Sequence, residues 1–211
     1  MTRRHWLALF RLGFGGLGLA ALITQYQFNV ANIPGYVPLN FFSFFTVESN
    51  IIAAVTLLIA GIVALLGRRP RALDYLRGAA TIYMVITGIT YSLLLRNVEV
   101  DTAVVWVNAV LHYVIPVVMV LDWVMDLPAT RITAKQAMVW LIFPVAYLAY
   151  SLIRGPIVDW YPYPFLDPRP GGYLPVAIAS VGIAIGGVAF ALLLAATTRL
   201  RKPNSPPTRA K

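Results

Sequence analysis

The chain has 211 residues, 59% of them hydrophobic and only 12% charged, with a formal net charge of +9. A soluble domain averages about 45–50% apolar and about 25% charged residues, so these figures exclude a water-facing surface over most of the chain. They exclude intrinsic disorder too, which needs low hydrophobicity, and leave an all-α, polytopic integral membrane protein.

Spans of about 20 apolar residues, enough to cross a bilayer, are predicted at six places. They are Trp6–Phe28, Phe41–Leu66, Gly78–Leu95, Ala103–Met125, Ala137–Ile153 and Leu174–Thr198. The first resembles a signal peptide in its basic start, but no small-residue cleavage site follows, and Gln25, Tyr26, Gln27 and Phe28 continue it as a retained helix. The fifth is short and interrupted by Pro144. Residues 1–201 therefore read as one six-helix transmembrane domain. Residues 202–211, with Pro203, Pro206 and Pro207, read as a disordered cytoplasmic tail.

The basic residues alternate between loops. Thirteen lie in the N-terminus, the second and fourth loops and the tail, against Arg96, Arg154 and Arg169 on the other side, with Arg11 inside the first span. The positive-inside rule then puts both termini in the cytoplasm of a cell-membrane protein. The net charge serves orientation and attraction to anionic lipid, and no nucleic-acid partner is expected. With no cysteine in the chain, disulfides, thiolate metal centres and cysteine nucleophiles are excluded. His5 and His112 are the two histidines, and His5 falls outside the spans, so a haem held between paired helical histidines is excluded as well. Neither a metal nor another cofactor is expected.

Polar residues inside the spans carry the chemistry, because burying them in hydrocarbon is costly. In the second span Thr46, Ser49 and Asn50 share a helical face, and Glu48 points the other way. In the fourth, Asn108 and His112 are one turn apart, followed by Pro116, Asp122 and Asp126. At 1.5 Å per residue Thr46 and His112 lie roughly 8 and 14 Å below the outer ends of their helices, close enough in depth to be neighbours. Bland roles stand beside that one. Thr46 can bond to its own helix, His112 with Asn108 can clasp two helices, Glu48 can pair with Arg96 or Arg154, and Arg11 can pair with Asp122 or snorkel. The loop Arg154–Tyr173, with Trp160, Tyr161, Tyr163 and Phe165 among prolines, reads as an interfacial anchor or as a rim over a lipid-accessible cavity.

Three segments resemble a known family. Phe44-Phe-Thr-Val-Glu-Ser-Asn50, then Asn108-Ala-Val-Leu-His-Tyr-Val-Ile-Pro116 with Asp122-Trp123, then Trp160-Tyr-Pro-Tyr-Pro-Phe-Leu-Asp167 occur in the order seen in the androgen-induced-gene family of membrane proteins. Animal members of that family hydrolyse fatty acid esters of hydroxy fatty acids, and bacterial six-helix members share the Phe-Thr-x-x-Ser-Asn form. The resemblance implies Thr46 as catalytic threonine and His112 as catalytic histidine; Glu48, Asp122, Tyr163 and Asp167 are candidate supporting residues beside them.

Chemistry agrees with that pairing. A threonine hydroxyl needs a base as it attacks an ester, and imidazole has a suitable pKa. Asn50, Asn108 and Ser49 are the expected substrate or oxyanion contacts. No carboxylate lies at the right depth to orient His112, since Asp122 is about 15 Å further along its helix. The expected activity is intramembrane hydrolysis of lipid-like esters, with a fatty-acyl ester of the bilayer as partner and the oligomeric state open. The alternative is a non-enzymatic protein: a proton-coupled transporter using Glu48 and His112, or a lipid-binding scaffold.

Overall fold

The computed structural model describes residues 2–98 and 104–200, and these are helices and turns without a strand. Six helices are long and apolar enough to cross a membrane: α1 (Arg3–Asn32), α2 (Phe45–Leu65), α3 (Arg71–Leu95), α4 (Val105–Met125), α5 (Ala134–Val158) and α6 (Tyr173–Leu200). The expected tail at residues 202–211 and the start of the fourth span at Ala103 lie outside the described residues.

Each span is found, and most run longer than hydropathy alone suggests. Hydropathy marks the part of a helix that lipid must solvate, whereas the backbone hydrogen bonds continue through the polar ends. At 1.5 Å per residue, the 30 residues of α1 extend about 45 Å, well past a hydrocarbon core of about 30 Å. The largest correction is at α3. Arg71 and Arg77, expected in a loop, are helical, and Arg77 is buried. The fifth span is 25 residues long, not short. A capping box of Thr133 and Gln136 starts it, and a 3-10 turn at Val139–Leu141 leads into the α-helical stretch that begins just before Pro144.

Helix α1 packs tightly on α2 through small residues. A Cβ on Gly61 would stand 2.8 Å from Leu12 Cγ and 3.2 Å from the Ala8 carbonyl, and one on Gly15 would stand 3.1 Å from the Ala54 carbonyl. Small-residue contacts of this kind let backbones approach closely where lipid gives no hydrophobic drive. One apolar cluster, with Leu57, Met84, Leu111 and Ile115, joins α1, α2, α3 and α4. A second, aromatic one with Phe45, Tyr83, Trp123, Trp140 and Tyr147 joins α3 to α5 and α6. Helices α5 and α6 turn most of their large apolar side chains outward, among them Ile142, Val145, Ile153, Ile178 and Ile185.

The polar interior is divided between the two ends of the bundle. At the end bearing the N-terminus, Asp122 accepts from Arg11 Nε at 2.6 Å and Arg77 Nε at 2.7 Å. Asp126 accepts from Arg11 at 2.8 Å and Arg69 at 2.6 Å, and Asp74 from Arg77 at 3.2 Å. Three arginines thus neutralise three aspartates and tie α1, α3 and α4 to the α2–α3 turn. The expected Arg11–Asp122 pair is present, inside a network that hydropathy could not reveal. Burial alone would raise the Asp126 pKa, but Arg11, Arg77 and Arg69 together hold it below the usual carboxylate value.

Candidate active site

The opposite end holds the residues singled out in the sequence. Helix α2 begins at Phe45 with Phe44 as its N-cap, so Thr46 is the second residue of the helix. Its N–H is one of the first four that have no intrahelical acceptor. That N–H donates to the Tyr163 hydroxyl oxygen at 3.1 Å, and the Thr46 Oγ1 lies 3.2 Å from the same atom. Tyr163 comes from the proline-rich α5–α6 loop, stacked on Phe165 and edge-on to Phe44. Burial pushes its phenol up to about 12, so it stays a neutral donor at physiological pH. No turn precedes Thr46 in its helix, and its hydroxyl meets this tyrosine instead of its own backbone.

His112 sits in a π-helical turn, Val110–Val114, just before Pro116. The Ile115 N–H bonds to the Val110 carbonyl, five residues back, and Pro116 has no N–H to offer. The Leu111 carbonyl is therefore left without its usual partner, and Asn50 Nδ2 supplies one at 3.1 Å. Asn50 Nδ2 also donates to the Thr46 carbonyl at 2.8 Å. A single amide therefore locks the start of α2 to the widened turn of α4, and both of its protons are used. Asn50 is a brace here, not a free oxyanion donor.

A second π-helical turn, Tyr91–Leu95, ends α3 and faces the first. The Tyr91 ring stacks on His112 with centroids 3.9 Å apart, and its hydroxyl accepts from Asn108 Nδ2 at 2.7 Å. Asn108 thus bonds across to another helix through Tyr91, whereas the hydrogen bond of His112 stays within its own helix and its contact across is the ring stack. His112 Nδ1 lies 3.2 Å from the Asn108 carbonyl, which can only accept, so Nδ1 carries the proton and Nε2 the lone pair.

Two cavities meet at Thr46. A pocket of about 40 Å³ is lined by Thr46, His112 and Tyr163, with Gln25 and Asn29 from α1, and closed by apolar side chains that include Phe41, Val47 and Leu111. That exceeds the ~10–15 Å³ one water needs. A larger one, about 220 Å³, runs between α3, α5 and α6, with Thr46, Leu95 and Tyr163 in its wall as well. Its other lining is almost wholly apolar, including Ile86, Leu148, Phe165 and Ile183. Val145 and Val188, also in its wall, are exposed on the outer face of the bundle, so it opens sideways between α5 and α6. Thr46 lines both spaces; His112 lines the small one.

The other predicted residues fall elsewhere. Ser49 is buried beside Asn50 on α2. Glu48 is half-buried and makes no ion pair with Arg154, which donates to Asn40 at 2.7 Å and stacks over Trp160. Nor is there a pair with Arg96 among the described residues. Asp122 is held in the charge network at the far end and lines neither cavity. Asp167 lines neither one: it pairs with Arg169 at 2.6 Å, which also reaches Asp159, and this hydrogen bonding holds its carboxyl below the usual range. The sequence reading missed Gln25, Asn29 and Tyr91. The first two are polar residues one turn apart, Gln25 near the end of the first apolar span and Asn29 just past it, and in the structure a 2.8 Å hydrogen bond joins them within α1.

No family model matches the chain, and neither a curated protein nor a solved structure does.

Proposed function

We propose that this protein is an intramembrane hydrolase of lipid-like esters, with Thr46 as nucleophile and His112 as general base. The observation that carries the reading is the position of Thr46 between two unlike spaces, one small, shared with His112, Gln25 and Asn29 and wide enough for water, the other almost wholly apolar and open to the side. The likeness to the androgen-induced-gene family points to the same two residues and to a fatty acid ester of a hydroxy fatty acid, or a similar ester, as substrate. The acyl chain enters from the bilayer, and its ester carbonyl rests against Thr46. By the positive-inside rule this end of the bundle faces away from the cytoplasm of a cell-membrane protein.

The chemistry follows from the groups present. His112 Nε2 takes the Thr46 proton as Oγ1 bonds to the ester carbonyl carbon. The tetrahedral intermediate then expels the alcohol, which leaves with the proton from His112. A water in the small pocket attacks the acyl-threonine, again through His112, and releases the acid. The Asn108 carbonyl keeps the proton on Nδ1 and so keeps Nε2 basic, a part that a carboxylate plays in other triads. The Asn50 protons are committed to carbonyls, which leaves the Tyr163 hydroxyl to donate to the developing oxyanion.

The test is covalent labelling. A long-chain fluorophosphonate added to the detergent-solubilised protein should modify Thr46, as read by peptide mass spectrometry. Labelling should vanish in Thr46→Ala and fall by about 10²–10⁴ in His112→Ala, the usual worth of a general base, with both variants retaining the wild-type melting temperature. Folded His112→Ala protein that labels and hydrolyses ester at the wild-type rate would sink the pair. Ester-independent proton flux in vesicles that requires Glu48 and His112 would instead favour a transporter.

A further inference from the structure

The end of the bundle bearing the N-terminus holds a third cavity, of about 390 Å³, which the hydrolase reading does not use. Arg11, Asp74, Arg77 and Asp126 line it, and the network of three arginines and three aspartates balances its own charge. Arg3, Arg4 and Arg68 line it as well, and none of them has an ion-pair partner among the described residues. Arg3 donates to the Met125 carbonyl, which fixes its position and leaves its charge uncompensated. Arg4 Nη1 reaches to 2.7 Å from where a Cβ on Gly67 would stand, in the same turn that carries Arg68. Gly67 adopts a positive φ of 70° there, so this turn closes over the Arg4 guanidinium without a side chain in the way.

The surplus of three cations therefore faces one hollow. The remaining wall is apolar, with Leu7, Ala60, Val63 and Leu73. This wall belongs to the helix ends, where the hydrocarbon of a bilayer gives way to headgroups. Guanidinium groups suit phosphate because their paired N–H donors match two of its oxygens. A cationic rim over an apolar wall at that depth matches an anionic phospholipid, phosphate outward and glycerol inward.

We infer that this cavity is a binding site for the phosphate headgroup of an anionic phospholipid, held by Arg3, Arg4 and Arg68. The site is independent of Thr46 and His112 and stands whether or not the protein hydrolyses esters. It differs from general attraction of basic loops to acidic lipid, because three particular arginines converge while Arg131 and Lys135, exposed and equally basic, line no part of it.

The experiment uses the full chain, purified in detergent and stripped of lipid. Dioleoyl phosphatidylglycerol or dioleoyl phosphatidylcholine is titrated in, and bound lipid is counted by native mass spectrometry. Wild-type protein should retain one phosphatidylglycerol in preference to phosphatidylcholine. Arg4→Gln with Arg68→Gln should weaken that binding about thirtyfold, the equivalent of ~1 kcal/mol for each arginine near a membrane surface. Both side chains are exposed, so the variant should keep the wild-type melting temperature in phosphatidylcholine. Arg131→Gln with Lys135→Gln, matched in charge, should change the binding less than threefold. Equal loss in the two double variants would reduce the effect to diffuse electrostatics and overturn the site, as would equal retention of the two lipids by wild type. Stabilisation by inorganic phosphate or glycerol 3-phosphate as large as that by the lipid would assign a soluble anion in its place, and would also overturn it.

Discussion

Removing Asp122 is the most direct probe of what holds the bundle together. Asp122 is fully buried and accepts from two guanidiniums, those of Arg11 and Arg77, which are 4% and 2% exposed. Asp122→Ala leaves two cations in the interior. Breaking a buried pair by deleting one partner costs about 3–5 kcal/mol. The remaining contacts set where in that range the variant falls. Arg11 keeps Asp126 at 2.8 Å, and Arg77 keeps Asp74 at 3.2 Å and two backbone carbonyls, those of Asp122 and Asp126. The loss should therefore lie near the lower limit, about 3 kcal/mol, which for a chain of this size lowers the melting temperature by roughly 10 °C. Thermal unfolding in detergent, followed by tryptophan fluorescence, measures it, since buried Trp123 is the next residue. Arg11→Met with Asp122→Leu should recover about half the loss and no more, because Arg77 still lacks its shortest carboxylate contact. A melting temperature for Asp122→Ala within about 2 °C of wild type would refute the reasoning.

Tyr163→Phe removes a hydroxyl that bonds both the Thr46 backbone and side chain; kcat for ester hydrolysis should fall about 10²–10³-fold, the worth of one oxyanion donor, with KM little changed. Gly187, Leu141 and Ile86 line one part of the apolar cavity, where a Cβ on Gly187 would stand 3.4 Å from Leu141 and 3.5 Å from Ile86. Gly187→Leu fills that part, so p-nitrophenyl esters of long acyl chains should lose activity while the acetate keeps it; equal loss for both would show that the cavity does not hold the chain. Asp126 has a folded pKa held below its unfolded value of about 3.9. Its contribution to stability is then complete above that value and is lost as pH falls through the folded pKa. Melting temperatures measured from pH 7 to pH 3 should show a fall confined to the acid end, and Asp126→Asn should flatten it.

The number and order of the helices were legible in composition and hydropathy, because a bilayer selects apolar runs of a set length whatever their neighbours do. Rise per residue made Thr46 and His112 candidate neighbours, and the two line one pocket. Helix ends were not legible, since the amphipathic first turns of α3 look like loop until Asp122 and Asp126 give Arg77 a reason to be inside. The partners were hidden as well. Tyr163 reaches Thr46 across 117 residues through a loop whose path no local pattern predicts. Asn50 reads in sequence as a free donor, and only the π-helical turn before Pro116, which strips the Leu111 carbonyl of its bond, turns it into a brace. One-dimensional pattern reports the period and depth of a side chain; which hydrogen bonds it still has to offer is decided by the helices packed against it.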